Sequence, residues 1–302
     1  MNKPGRLETA LFLIGILLIG MYMRLVGIEW GEGQPIHPDE EFLRGVTAAV
    51  EWPDSPGLYF DSAASPLSPY NRGHGFFVYG TLPLFVTRGA VEALDRGCEA
   101  LNEGRLTPAA LLARWLSPIV LAQPTGQCWP GAFSGVGIRT IGRALAALFD
   151  LGCLLFVYLA GRRLGSRWLG LLAAMLYALA VLPIQQAHFY TVDAFANFFV
   201  AMGLYMVLWA AQSGKWTAFA LAGLATGLGM ACKISVWPLA LMVALAGIVR
   251  WLLGGGDRET RGQGDKETRR QGDKETRGQG DKGTRRQGDK GTRGQGDKET
   301  RR

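Results

Sequence analysis

Long apolar stretches constrain this chain more than any other feature of its sequence. The first 253 residues contain six of them, at about 7–28, 138–160, 168–186, 194–211, 216–232 and 236–253. A helix needs about 20 predominantly apolar residues to cross a bilayer. The last two stretches form one apolar run that is too long for a single span, so we place a tight turn near Lys233. The sequence therefore predicts an all-α polytopic membrane protein with about six transmembrane helices.

Basic residues predict how these helices are oriented. They lie before the first span and directly after the second, at Lys3, Arg6, Arg162, Arg163 and Arg167. Cytoplasmic ends of membrane helices carry an excess of Lys and Arg. We therefore predict a multi-pass protein of the cell membrane whose N-terminus and C-terminal tail are cytoplasmic.

The first loop, at about 29–137, then lies on the outer face. It is long for a connection within a domain, which favours a functional role. Two apolar but interrupted segments, 76–94 and 105–122, are typical of interfacial helices rather than spans. Residues 1–253, with this loop, are predicted to form one transmembrane domain.

The tail at 254–302 has a different character, because it contains no apolar side chain and repeats an eight-residue unit from Gly256 onward. It cannot bury an apolar face, so we predict disorder. Its 15 Lys and Arg against 10 Asp and Glu supply most of the formal charge of +7. The basic charge is therefore poor evidence for nucleic-acid binding. Weak contact with anionic lipids and a solvated tail without a task both stay open.

The four cysteines do not form a metal-binding set. Cys153 and Cys232 lie within apolar spans, where small buried thiols are usual. Cys98 and Cys128 both lie in the outer loop, where a disulfide and two free thiols are equally compatible with the sequence.

With this topology, most of the unusual polar residues gather at the outer face. Ionisable groups at membrane depth are costly, so function is the default interpretation. The candidates for substrate binding or catalysis are His37, Asp39 and Glu40 after the first span, Arg24 at its outer end, His188 and Asp193 before the fourth span, and Lys233.

Each candidate also has a purely structural interpretation. The acids after Pro38 can form the first turn of a helix. Asp193 can be a helix N-cap, and Lys233 or Arg24 can extend to the lipid headgroups. Asp150 lies in the middle of a span, where we expect an inward polar contact with Arg143 or with a backbone group.

The outer candidates together suggest group transfer. A carboxylate near the interface can deprotonate an acceptor hydroxyl or amine. A cation at headgroup depth can hold the phosphate of a lipid-linked donor and stabilise it as it departs. No HExxH or comparable spacing supports a metal site, so no cofactor is predicted, and a divalent cation stays an unsupported alternative.

Four stretches carry a resemblance to a known family. They are His37-Pro38-Asp39-Glu40, Arg139 to Arg167, Pro183 to Phe199 and Gly223 to Pro238. The sequence resembles the GT-C superfamily of membrane glycosyltransferases, specifically its protein O-mannosyltransferase-like group. That group comprises glycosyltransferase family 39 and the related aminoarabinose transferases of lipid A.

The resemblance implies a function and roles for individual residues. Asp39 would be the general base with Glu40 in support, and Asp193 would help to build the active site. The donor would be a polyprenyl- or dolichyl-phosphate sugar, and the acceptor a protein, lipid or glycan. The segment 76–94 would be a juxtamembrane helix, so that the outer loop does not re-enter the membrane.

The chain also departs from the family, whose shared core has more spans than are predicted here. We therefore expect an N-terminal part of such an enzyme, shortened where the repeats begin. Two alternatives from other classes stay open at this point: a non-catalytic transporter or scaffold, and a metal-dependent membrane hydrolase that uses the outer histidines.

Overall fold

The computed structural model describes residues 4–31, 34, 36–111, 113–114 and 135–252. Within them the regular elements are helices, and no strand occurs. Residues 1–247 form one compact unit, and a second begins at Ile248. The tail at 254–302, for which we predicted disorder, lies outside the described residues.

The helices follow one another along the chain as α1 (Pro4–Leu25), α2 (Pro38–Ala49), α3 (Pro56–Phe60), α4 (Leu82–Asn102), α5 (Gly135–Leu164), α6 (Arg167–Ala178), α7 (Val181–Ala187), α8 (Val192–Ser213), α9 (Trp216–Cys232) and α10 (238–252). The chain is also helical at 108–111 and 113–114. Two short 3₁₀ turns lie at Pro69–Arg72 and Ile234–Val236.

Four segments have the length and apolar character of membrane spans: Gly5–Leu25, Gly137–Leu164, Val192–Ser213 and Ile234–Leu252. A fifth is obtained if α6 and α7, which meet at 59°, are counted as one broken span. The helix α9 is apolar but has only 17 residues. All six predicted spans coincide with helices, and the all-α polytopic fold is confirmed.

The break between α6 and α7 has a local cause. Ala180 is extended, with φ −68° and ψ 127°, and Pro183 follows in the first turn of α7. A proline within a continuous helix would remove a backbone hydrogen bond and clash with the preceding turn. In the first turn it loses nothing, because the N–H groups there have no partner within the helix. The single span predicted at 168–186 is therefore two helices.

Close helix packing depends on small residues. At Gly170 of α6, a Cβ atom would lie 2.6 Å from the carbonyl oxygen of Tyr158 in α5. The two backbones approach so closely that only glycine fits, which is a common way to join helices in membranes.

The two ends of the bundle differ in their polar groups. At one end, Arg167 donates to the carbonyl oxygen of Gly5, which joins the start of α1 to the connection between α5 and α6. At the other end, His188 lies 3.0 Å from the carbonyl oxygen of Val26. Arg167, one of the basic residues predicted to be cytoplasmic, is thus at the opposite end of the bundle from His188.

The outer loop packs as helices on α5. Leu43 and Val46 of α2, and Leu84 and Val91 of α4, are buried in one apolar core with Ile138 of α5. The helix α4 is not among the candidate spans. Cys98 of α4 is in a disulfide bond, whereas Cys153 and Cys232 are free and buried. Cys128 and half of the predicted segment 105–122 lie outside the described residues.

Candidate active site

The start of α2 explains the geometry around Asp39. His37 is the N-cap, and its ring nitrogen accepts a hydrogen bond from the Asp39 N–H at 3.2 Å. Pro38 occupies the first turn together with Asp39, Glu40 and Glu41, where negative charge favours a helix. The His37 ring also packs 4.8 Å from Phe189. The acids after Pro38 thus form the first turn of a helix, as their structural interpretation predicted, and His37, which we had proposed as a substrate ligand, caps that helix.

Glu40 is buried and bound by protein groups. Its two oxygens each accept a hydrogen bond from Arg143 at 2.7 Å, and one of them also accepts the Tyr190 N–H at 2.8 Å. The remaining Arg143 donor reaches the Ile28 carbonyl oxygen at 2.7 Å. Both charged side chains are only 1% exposed. Glu40 therefore ties α2 to α5 and to the loop before α8, and Arg143 also binds the segment that follows α1.

Asp193 and Lys233 form a second ion pair, in which Nζ lies 2.7 Å from the carboxylate. The two side chains are 39% and 37% exposed. Thr191 is the N-cap of α8, so the expectation that Asp193 could fill that position is wrong. Lys233 is the extended residue between α9 and the following 3₁₀ turn. The predicted turn at Lys233 is thus present, and the lysine is paired rather than directed to lipid.

Tyr79, which the sequence did not single out, lies near both Asp39 and Asp193. The next residue, Gly80, donates its N–H to the Cys232 carbonyl oxygen at 2.9 Å. A Cβ at Gly80 would overlap the carbonyl group of Ala231, so the loop can approach the end of α9 only with glycine there.

Tyr79 lies close enough to Asp39 and Asp193 for both carboxylates to act on its hydroxyl. Burial is the largest cause that raises the pKa of Tyr79, followed by the charge of Asp39, an interaction with the Asp39 side chain and the charge of Asp193. Asp39, Tyr79 and the ion pair of Asp193 and Lys233 therefore lie near one another at one end of the bundle.

Arg24 does not extend to the headgroups, so that prediction is wrong. Its side chain is fully buried and forms an ion pair with Asp150, whose other oxygen accepts the Tyr177 hydroxyl at 2.6 Å. A further Arg24 donor lies 3.1 Å from the Ala178 carbonyl oxygen. The expected partner of Asp150, Arg143, instead binds Glu40. A buried arginine with these partners holds α1, α5 and α6 together and has no evident route to a substrate.

His188 is likewise occupied by the protein backbone. Its Nδ1 lies 2.8 Å from the Ile184 carbonyl oxygen, and its Nε2 lies 3.0 Å from that of Val26. It lines a cavity of about 310 Å³ with Trp30 and Phe189. These contacts connect α7 to the end of α1, and they leave the proposed role of His188 in substrate binding without support from its partners.

No metal centre is evident in the described part of the chain. There, no three His, Cys, Asp or Glu side chains are grouped so that they could hold an ion. Both histidines proposed for a metal-dependent hydrolase have the protein partners given above.

A cleft of about 380 Å³ leads away from Asp193 into the apolar part of the bundle. One face of α8 lines it, together with residues of α5, α6 and α7. Its polar lining residues include Asp150, Gln186, Asp193 and Asn197, and the rest are mainly apolar.

One family of known proteins matches part of the chain. Residues 132–261, less than half of the chain, match the model of the dolichyl-phosphate-mannose-protein mannosyltransferase family. The matched range includes Asp193 and Lys233 but not Asp39. No curated protein and no solved structure gives a significant match. The family match confirms the resemblance to the protein O-mannosyltransferase-like group of the GT-C superfamily.

Proposed function

We propose that this membrane protein transfers a sugar from a polyprenyl-phosphate carrier to an acceptor on the outer face of the membrane. The family match indicates glycosyl transfer from a lipid-linked donor. The proposed reaction at the outer face rests on one observation, which is that Asp39 lies near the half-exposed pair of Asp193 and Lys233.

In this proposal Asp39 is the general base. Its carboxylate takes the proton of an acceptor hydroxyl, and the acceptor oxygen forms a bond to the anomeric carbon. The bond from that carbon to the phosphate oxygen breaks on the opposite face, and its electron pair leaves with the phosphate. The configuration of the sugar is inverted, since a single displacement occurs.

Lys233 is the proposed ligand of the departing phosphate. Its ammonium is paired with Asp193 but keeps about a third of its side chain exposed. An ammonium has three donors, so it can bind Asp193 and a phosphate oxygen at the same time. Stabilisation of the charge that develops on the leaving group is the expected electrostatic contribution.

The cleft beside Asp193 supports a donor with a lipid chain. It begins at one member of the ion pair and continues along α8 among apolar residues such as Val200 and Leu204. A carrier whose phosphate lies at Lys233 could place the first part of its isoprenoid chain there. In this proposal Glu40 does not contact the acceptor, and its role is to hold α2 in place.

Two observations support the outer face as the site of reaction. The basic residues near Gly5 and Arg167 lie at the opposite end of the bundle and favour the cytoplasm. Cys98, in the same outer loop as Asp39, is disulfide-bonded. Disulfides persist mainly in oxidising, extracytoplasmic compartments.

The substitution Asp39→Asn tests the base. We expect the transfer of labelled sugar from a polyprenyl-phosphate donor to fall by about 10²- to 10⁴-fold, because the amide cannot accept the proton. Asp54→Asn is the matched control, since it neutralises an exposed acid of the same loop. Membrane insertion and thermal stability of both variants should equal those of the parent protein. Undiminished transfer by Asp39→Asn would refute the proposed base.

One observation favours a second candidate, a transporter. Asp150, Gln186 and Asn197 line the cleft below Asp193, and polar groups within the membrane mark solute pathways. Uptake of a solute into proteoliposomes that is unaffected by Asp39→Asn and abolished by Asn197→Leu would support transport instead of transfer.

A further inference from the structure

We infer that Arg163 binds the phosphate of an anionic phospholipid at the end of the bundle opposite the candidate active site. Arg163 lies in the last turn of α5, four residues before Arg167, which donates to the Gly5 carbonyl oxygen. This is the end of the bundle that the basic residues predict to face the cytoplasm. The inference does not depend on the proposed transfer reaction, because none of its residues belongs to the site around Asp39.

Two aromatic rings of α8 hold the guanidinium of Arg163. Its central carbon lies 5.9 Å from the ring centroid of Tyr205 and 5.9 Å from that of Trp209. These two residues are four apart on α8 and therefore share one face of that helix. Phe156, two turns before Arg163 on α5, packs against the Tyr205 ring with 5.9 Å between the centroids. The packing of α5 on α8 thus fixes the position of the guanidinium.

The protein does not use the hydrogen-bond donors of this guanidinium. Arg24 and Arg143 each bind a buried carboxylate, whereas Arg163 has neither an ion pair nor a hydrogen-bond acceptor within the described part of the chain. Its Nε is buried without a partner, and its two Nη groups stay accessible. A basic residue near the end of a helix often donates to the last carbonyl groups, but Arg163 does not. Its donors are therefore available to a ligand.

The chemistry of this site favours a lipid phosphate. The two Nη groups of an arginine can bind two oxygens of one phosphate at the same time. Trp and Tyr are enriched where the membrane meets water, and basic pockets between helices on the cytoplasmic side bind anionic headgroups. Arg162 and Arg167 add positive charge nearby, and the chain has no acid between Asp150 and Asp193. These cations repel the ammonium of a zwitterionic lipid, so the site favours an anionic one.

Native mass spectrometry of the full chain in detergent, titrated with phosphatidylglycerol, tests the site. Arg163→Gln should weaken binding of the first lipid by about 10-fold or more, because a charged hydrogen bond to phosphate is lost. Arg162→Gln is the matched control, since it removes the same charge from an exposed neighbour that has no aromatic partner among the residues that the structure describes. It should weaken binding by less than about threefold. Equal binding by the two variants would overturn the inference.

Two further variants test the geometry rather than the charge. Arg163→Lys keeps the charge but has no planar fork that can bind two phosphate oxygens in parallel, so its affinity should stay below that of the parent protein. Trp209→Leu keeps Arg163 but removes one of the rings that hold it, and should weaken binding by about two- to fivefold. Full affinity in both variants would overturn the proposed site. These variants also carry the test if Arg163→Gln fails to fold.

Thermal unfolding in detergent identifies the source of the phosphate. A ligand that binds only the folded protein raises the midpoint. Phosphatidylglycerol should therefore raise the midpoint of the parent protein and of Arg162→Gln more than that of Arg163→Gln. Phosphatidylcholine should raise the parent midpoint less, and inorganic phosphate at the same concentration should leave it unchanged. An equal rise with inorganic phosphate would overturn the assignment to a lipid, and an equal rise with phosphatidylcholine would overturn the preference for an anionic one.

Discussion

Two ion pairs lie near the candidate site, and they differ in almost every respect except charge. Glu40 and Arg143 are 1% exposed and are held by two parallel bonds of 2.7 Å. Asp193 and Lys233 share one contact of 2.7 Å and are more than a third exposed. Glu40 also accepts a backbone N–H, and Arg143 also reaches a backbone carbonyl oxygen.

The difference separates groups that hold the fold from groups that can bind a ligand. A buried charge must have its hydrogen bonds filled by the protein, because water cannot supply them. The Glu40–Arg143 pair is filled in this way, as is the buried pair of Arg24 and Asp150. A half-exposed lysine pairs only weakly with its partner, and it can bind a phosphate oxygen without giving up that partner.

The largest expected effect comes from breaking the buried pair. Glu40→Gln leaves the Arg143 charge unpaired inside the protein, which usually destabilises by about 3–5 kcal/mol. Thermal unfolding in detergent should show a markedly lower midpoint. Asp193→Asn, which breaks the exposed pair, is the matched control and should change the midpoint little. Equal midpoints for the two variants would contradict the distinction.

The substitution Lys233→Gln sharpens the comparison from the exposed side. We expect stability to change by at most about 1 kcal/mol, while affinity for a polyprenyl-phosphate sugar falls by about 10-fold or more, since a charged hydrogen bond to phosphate is lost. Lys215→Gln, at the far end of α8, controls for loss of charge alone. Donor binding can be measured by thermophoresis in detergent. Unchanged donor affinity in Lys233→Gln would show that this lysine does not bind the donor.

The smallest effect is expected for an exposed pair outside the site. Arg72 lies 2.5 Å from Glu51 on the outer loop, with side chains 30% and 60% exposed. Arg72→Gln should change stability by no more than about 1 kcal/mol and should leave transfer and donor affinity as they are. A loss of transfer would show that exposure alone does not distinguish ligand-binding pairs from the others.

Much of the fold was predictable from the sequence. The apolar stretches locate the spans to within a few residues, because the bilayer imposes both their length and their composition. The turn at Lys233 follows from the length of the apolar run 216–253, which is longer than a single membrane-spanning helix needs. The break at Ala180 was missed, although Pro183 was a usable signal for it.

The candidate site was predictable only in part. Asp39, Asp193 and Lys233 were expected at one face from topology alone. Asp193 and Lys233 are paired, and Tyr79 lies near the charges of both Asp39 and Asp193. The partners of Arg24 and Glu40 were not foreseen, because each lies more than 100 residues away along the chain. Tyr79 was not singled out, since a loop residue of this kind becomes significant only through its neighbours in the fold.

By itself, the sequence determined that the chain is a bundle of membrane helices with acids and a lysine at one end. These features can be predicted because water or lipid around a segment constrains its composition independently of the rest of the chain. Only the tertiary structure decided which charges are buried against each other and which stay accessible to a ligand. That choice depends on contacts between distant helices, and no local pattern encodes it.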